Sequence, residues 1–229
     1  MNFQLSKYQA ATAIAVLFHT IGLIGILFFD RQFFVQSTVI NLLLMFALLI
    51  WTQKEKNWFF LVFVVAAFVI GLGAEIVGVN TGALFGNYSY GDVLGQKFMK
   101  VPLIIGINWF VIIYCCGISI HTLLTKAINR ISSDTKTKPM ALKAISVIID
   151  GATIAVFFDW IMEPVAVKLG FWKWENGDVP FYNYICWMMV SNIILAVFHF
   201  SKFNKQNKFA VNLLLIQMMF FLLLRTFLN

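Results

Sequence analysis

The chain has 229 residues, of which 61% are apolar and only 12% charged, against roughly 45–50% and ~25% in soluble domains. So thin a charged coat cannot cover a soluble core of this size, and the same hydrophobicity excludes a disordered chain. The net charge of +7 comes from Lys and Arg in short connections between apolar runs, a pattern of membrane topology and not of nucleic-acid binding.

A spanning helix needs ~20 mostly apolar residues. Seven windows qualify: 8–29, 33–52, 58–79, 101–124, 141–162, 181–200 and 209–228. The expected fold is an all-α integral membrane bundle of seven transmembrane helices, forming one domain over 1–229. The first window has only Lys7 before it and no small-residue cleavage site, so it reads as a retained span. Loop cations set the orientation. One side holds Lys7, Lys54, Lys56, Lys126, Arg130, Lys136, Lys138, Lys143, Lys202, Lys205 and Lys208; the other holds Arg31, Lys97, Lys100, Lys168, Lys173 and Arg225. The excess places the N-terminus inside and the C-terminus outside, in a cytoplasmic membrane. Cys115, Cys116 and Cys186 stand in apolar runs without metal-ligand or disulfide spacing, so neither a metal site nor a disulfide framework is expected.

Two outer connections stand apart. After the third window the chain runs from Glu75 through Thr81, Phe85 and Gly86 to Tyr88 and Tyr90, then Val101-Pro102. After the fifth it runs from Asp159 through Glu163-Pro164 and Gly170 to Trp172 and Trp174, then Val179-Pro180. Glu75 precedes Gly86 by eleven residues and Asp159 precedes Gly170 by eleven. Aromatics follow two and four residues after each glycine, and Trp109 and Trp187 each stand seven past a Val-Pro proline. This spacing predicts a parallel internal repeat with halves at about 58–124 and 141–200, and a site between the halves.

Each half delivers acid near the outer end of a helix. Asp159 and Glu163, four residues apart, share a helix face, while Asp150 is turned away from it. Acids inside a membrane are costly and mark function. Asn183, three past Pro180, falls at the mouth of the same cavity, and His19 is a further candidate to line it. Asn108, Asn192, Asn212 and Gln217 read as hydrogen-bonded packing residues.

No phosphate-binding Gly-rich loop, His-rich iron cluster or nucleophile elbow is present in the sequence. What remains is an apolar cavity holding acids and aromatic rings. Apolar surroundings favour a neutral carboxyl, which can protonate a poor base, and ring faces stabilise a developing cation. That combination suits acid chemistry on an alkene of a long hydrophobic substrate.

The block Glu75-x-x-Gly78-x-x-Thr81-Gly82-x-x-Phe85-Gly86-x-Tyr88-x-Tyr90 and the block Asp159-x-x-x-Glu163-Pro164-x-Ala166-x-x-x-Gly170-x-Trp172-x-Trp174, with their Val-Pro sequels, resemble the membrane carotenoid-biosynthesis family. That family includes carotenoid 1,2-hydratases such as the bisanhydrobacterioruberin and γ-carotene hydratases. The blocks cover about the middle half of the chain. The resemblance implies hydration, without a cofactor, of the terminal C1=C2 bond of an acyclic carotenoid ψ-end, with lycopene, γ-carotene or a similar pigment and water as substrates. On that reading an acid among Glu75, Asp159 and Glu163 protonates C2. Tyr88, Tyr90, Trp172 or Trp174 faces the cation at C1, water attacks C1, and a second carboxylate takes its proton. Thr81, Phe85, Asn183 and His19 complete the expected substrate pocket.

Two alternatives stay open. A lycopene-type cyclase begins with the same protonation but traps the cation with the C5=C6 bond, and a carotenoid or lipid transporter leaves the end group unchanged. A retinal protein is excluded, because the last window contains no lysine for a Schiff base. The oligomeric state is not legible in the sequence.

Overall fold

The computed structural model describes residues 5–131 and 140–228. Among the described residues there are eight helices: α1 (Lys7–Phe28), α2 (Arg31–Gln36), α3 (Thr38–Thr52), α4 (Trp58–Thr81), α5 (Ile104–Ile131), α6 (Met140–Lys168), α7 (Phe181–Phe200) and α8 (Lys208–Phe227). Four very short strands lie at the connections: β1 (Tyr88–Tyr90), β2 (Lys97–Phe98), β3 (Val101–Pro102) and β4 (Trp172–Trp174). Helices α1, α4, α5, α6, α7 and α8 are each long and apolar enough to cross a membrane. The chain is an all-α membrane protein.

The segment expected as the second span is divided into the six residues of α2 and the fifteen of α3. The break falls at Ser37, whose Oγ and N–H both donate to the Phe33 carbonyl, at 2.9 and 3.1 Å. Lys136 and Lys138, two of the inner cations, lie outside the described residues.

Helix α5 is the axis of the bundle. Trp109 to Cys116 are buried without interruption, because α3, α4, α6, α7 and α8 all pack around this helix. The peripheral helices turn large apolar side chains outward, as α1 does with Val16, Leu17, Phe18, Ile21 and Ile24. Such faces suit lipid, where packing and internal hydrogen bonds, not exclusion of water, hold helices together.

The two ends are fastened differently. At one end, Tyr114 donates to Gln53 Oε1 at 2.6 Å, and Asn207 donates to Thr52 and Tyr114 at 3.1 Å each. This buried network ties α3 and α5 to the start of α8. At the other end β1 and β4 pair, joining the connection after α4 to the connection after α6. There Pro164 also lies inside α6. Proline has no N–H for the carbonyl four residues earlier; Arg225 of α8 supplies the missing donor, its Nη1 bonding the Trp160 carbonyl at 2.8 Å.

Candidate active site

Helices α4 and α6 each end on a glycine in the left-handed region, Gly82 at φ +66° and Gly170 at φ +73°, where a side chain would be strained. The chain that leaves each helix forms β1 or β4. The two strands run antiparallel, with Tyr88 opposite Trp174, Ser89 opposite Lys173 and Tyr90 opposite Trp172. Alternate residues of a strand share a face. Ser89 and Lys173 are therefore exposed together, and the four aromatic residues turn together onto the helix ends. Gly91 allows the close approach: its N–H donates to the Phe171 carbonyl at 2.9 Å, and a Cβ there would strike the Gly170 carbonyl.

Beneath this aromatic cover lie three buried carboxyl groups, Glu75, Asp159 and Glu163. The hydroxyls of Tyr88 and Tyr90 both donate to Glu75 Oε2, the latter at 2.8 Å. Trp109 Nε1 donates to Glu75 Oε1 at 2.9 Å. Burial, then the proximity of Glu75, pushes both tyrosine hydroxyls up, so they remain O–H donors. On the other side, Trp172 and Trp174 donate their indole N–H groups to Glu163 Oε2 at 2.9 and 3.0 Å. Asn183 Nδ2 donates to Asp159 Oδ2 at 2.8 Å and reaches Glu163 Oε1 at 3.5 Å. Asp159 Oδ1 is buried and has no hydrogen-bond partner among the described residues. Trp109 and Trp187 stack at the centre, with ring centroids 4.1 Å apart and planes 20° from parallel.

These groups surround a chamber of about 30 Å³, room for about one water molecule. It has two larger neighbours. An apolar cavity of about 300 Å³, lined by Phe18, Phe34, Phe158, Phe171, Phe220 and others, shares Ile105, Asn108, Met162 and Trp172 with the chamber. An open polar depression of about 650 Å³, lined by Asn80, Asn87, Lys173 and Glu175 among others, shares Tyr88 and Trp174 with it. The carboxyl groups thus sit between a compartment suited to hydrocarbon and a compartment suited to water.

Glu75, Asp159, Glu163, Phe85, Tyr88, Tyr90, Trp172, Trp174 and Asn183 all line the chamber. Thr81 stands outside it, at the polar depression, with its hydroxyl donated to the Val77 carbonyl at 2.6 Å. His19 lines the apolar cavity, where Nδ1 bonds the Ala15 carbonyl at 2.8 Å and the ring meets Phe220 edge-on. Asp150 is exposed on α6 and is not among the chamber's residues.

Sequence reading did not assign Trp109, Trp187 or Asn108 to the site, yet all three line the chamber. The seven-residue spacing after each Val-Pro was a usable signal for the two tryptophans. Asn108, inside an apolar helix, had none beyond its polarity.

A family model described as "Carotenoid biosynthesis protein" matches residues 33–229. A bisanhydrobacterioruberin hydratase from Haloarcula japonica is 28% identical over 141 residues, which cover 60% of this chain and 44% of that protein. The chain therefore matches less than half the length of this curated relative. No solved structure gives a significant match.

Proposed function

The chain belongs to the carotenoid biosynthesis protein family, and from that premise we propose that it hydrates the ψ-end of an acyclic carotenoid, adding water across the terminal C1=C2 bond to form a tertiary alcohol. The observation that carries the reading is the position of three buried carboxyl groups on a water-sized chamber between an apolar cavity and a polar depression. The isoprenoid end lies in the apolar cavity and presents C1=C2 past Trp172 and Met162. Water enters from the depression past Tyr88 and Trp174.

A carboxyl group gives its proton to C2, the π electrons form the new C–H bond, and the charge appears at C1. Water bonds to C1 and loses a proton to a second carboxylate, so that pigment plus water gives the alcohol and the protein is regenerated. The acid and the base are drawn from Glu75, Asp159 and Glu163. Preorganised charge and donors in a dry site are worth most where charge develops, and the aromatic cover supplies that enclosure. The name of the relative, a hydratase, agrees with this choice of reaction.

The wider architecture follows the same proposal. The α2–α3 segment is a seventh crossing of the bilayer, the N-terminus is cytoplasmic, and the chamber lies near the outer surface of the cytoplasmic membrane. The halves 58–124 and 141–200 are a parallel repeat whose connections meet in the β1–β4 pair.

A cyclase begins with the same protonation and differs in that the C5=C6 bond of a folded end, not water, meets the cation at C1. Producing the protein in cells that accumulate lycopene or γ-carotene, then weighing the pigment, tests the reading. A gain in mass of one water supports hydration, unchanged mass with a new ring would make it a cyclase, and an unmodified pigment would leave a carrier.

A further inference from the structure

The hydrogen bonds match the two halves in a register different from the one suggested by Gly86 and Gly170. Glu75 lies seven residues before the helix-ending Gly82, and Glu163 lies seven before Gly170. Each of these glutamates accepts from both aromatic residues of the strand that follows its own helix. Trp109 and Trp187, each seven past a proline, stack face to face between the halves.

In this register the counterpart of Asp159 is Gly71, and the counterpart of Asn183 is Ile105. The space beside Gly71 is filled by the Trp109 indole, which a Cβ at that position would overlap. One half therefore carries an acid and its amide where the other carries a glycine and an aliphatic side chain. The two glutamates are the symmetric pair; Asp159 breaks the symmetry.

Resting on the hydratase reading above, we infer that Asp159 is the proton donor to the alkene, that Asn183 is the residue that positions it, and that Glu163 takes the proton from water. The oxygens divide in this way. Both oxygens of Glu75 accept from N–H or O–H groups at close range. Glu163 Oε2 accepts two indole donors, and its Oε1 has only the long 3.5 Å approach of Asn183. Asp159 is held through Oδ2 alone, and its buried Oδ1 is left for a proton that meets no protein acceptor.

The Asp159 O–H bond breaks as the C2–H bond forms from the C1=C2 electrons. Water then bonds to the C1 cation and its proton goes to Glu163, one helical turn along the same face. Return of that proton to Asp159 closes the cycle. Glu75, with donors on both oxygens, stays fixed.

The test uses the full chain in membranes supplied with lycopene or γ-carotene, comparing wild type with Asp159→Asn, Asp159→Glu and Asn183→Leu. General acid catalysis contributes about 10²–10⁴-fold. Asp159→Asn is expected to lose at least a hundredfold in rate while binding as much pigment as wild type, and Asp159→Glu to recover part of the loss. Asn183→Leu is expected to lower turnover about tenfold without changing the pigment concentration for half-maximal rate. A wild-type protein that leaves both pigments unhydrated sinks the hydratase reading itself. If wild type hydrates but Asp159→Asn keeps more than a tenth of the rate, the role of Asp159 is wrong and the reading stands. Should Asp159→Asn fail to accumulate, an Asn183→Leu protein whose turnover is unchanged overturns it equally.

Discussion

At Glu75 the surrounding aromatic residues act through their polar edges. Tyr88, Tyr90 and Trp109 all aim an O–H or N–H at the carboxyl oxygens, and Trp172 and Trp174 do the same at Glu163. If these bonds are what the rings are for, Tyr90→Phe, which keeps the ring and loses only the hydroxyl, should slow hydration by about ten- to a hundredfold, since losing a bond to a charged group costs roughly 1.5–3 kcal/mol. A rate equal to wild type would mean that the ring alone matters. Gly71→Ala should act on the same carboxyl from a distance: the new Cβ takes space held by the Trp109 indole and pulls its N–H away from Glu75. Pigment conversion should fall by at least tenfold in that variant, while Gly73→Ala, where a Cβ meets nothing within 4 Å, should leave it unchanged. The acids and the four strand aromatics were legible in the sequence, because carboxyl groups inside apolar runs and evenly spaced rings stand out. Their mode of contact was not, since spacing says which side chains converge and nothing about which edge they present. The spacing after Val-Pro singled out Trp109 but not its bond to Glu75, which needs the room left by Gly71 on the neighbouring helix.

Among the elements, α6 depends most on a partner. Pro164 leaves the Trp160 carbonyl without its helical donor, and Arg225 of α8 bonds that carbonyl at 2.8 Å with its guanidinium 4.0 Å from the Trp160 ring centroid. Arg225→Leu should therefore destabilise the protein by about 1–3 kcal/mol, the usual cost of an unpaired polar group, read as a lower melting temperature in detergent. In a Pro164→Ala background the residue at 164 has its own N–H for that carbonyl, so the same Arg225→Leu change should cost much less. Equal costs in the two backgrounds would show that the bond is not what Arg225 provides. This coupling was not visible in the sequence, where Arg225 was counted only as an outer cation. The boundary between α2 and α3 was hidden for a similar reason. The run from 33 to 52 is apolar apart from Gln36, Ser37, Thr38, Asn41 and Thr52, and none of these marks a helix boundary at Ser37 in the sequence. The two glycine-led aromatic segments stood out as loops, but neither their pairing as strands nor the four-residue difference in how they leave their helices was legible.

For the molecule as a whole, composition and the length of the apolar runs were enough to identify a helical membrane protein, because lipid leaves few ways to satisfy a backbone. The compartments around the chamber were out of reach, since each is assembled from side chains of several elements far apart in the chain. The proposed orientation makes a direct prediction. The native cysteines are buried, so single cysteines placed at the exposed positions Lys173 and Lys54 can be labelled selectively in intact cells. A thiol reagent that cannot cross the membrane should modify Lys173→Cys and spare Lys54→Cys, and the reverse pattern would invert the topology. The central claim concerns the reaction at the chamber, and its most direct test is conversion of lycopene or γ-carotene by the purified protein in isotopically labelled water. The account predicts a product carrying one labelled tertiary hydroxyl at C1 and one solvent-derived hydrogen at C2, whereas a cyclised or unaltered pigment would contradict it.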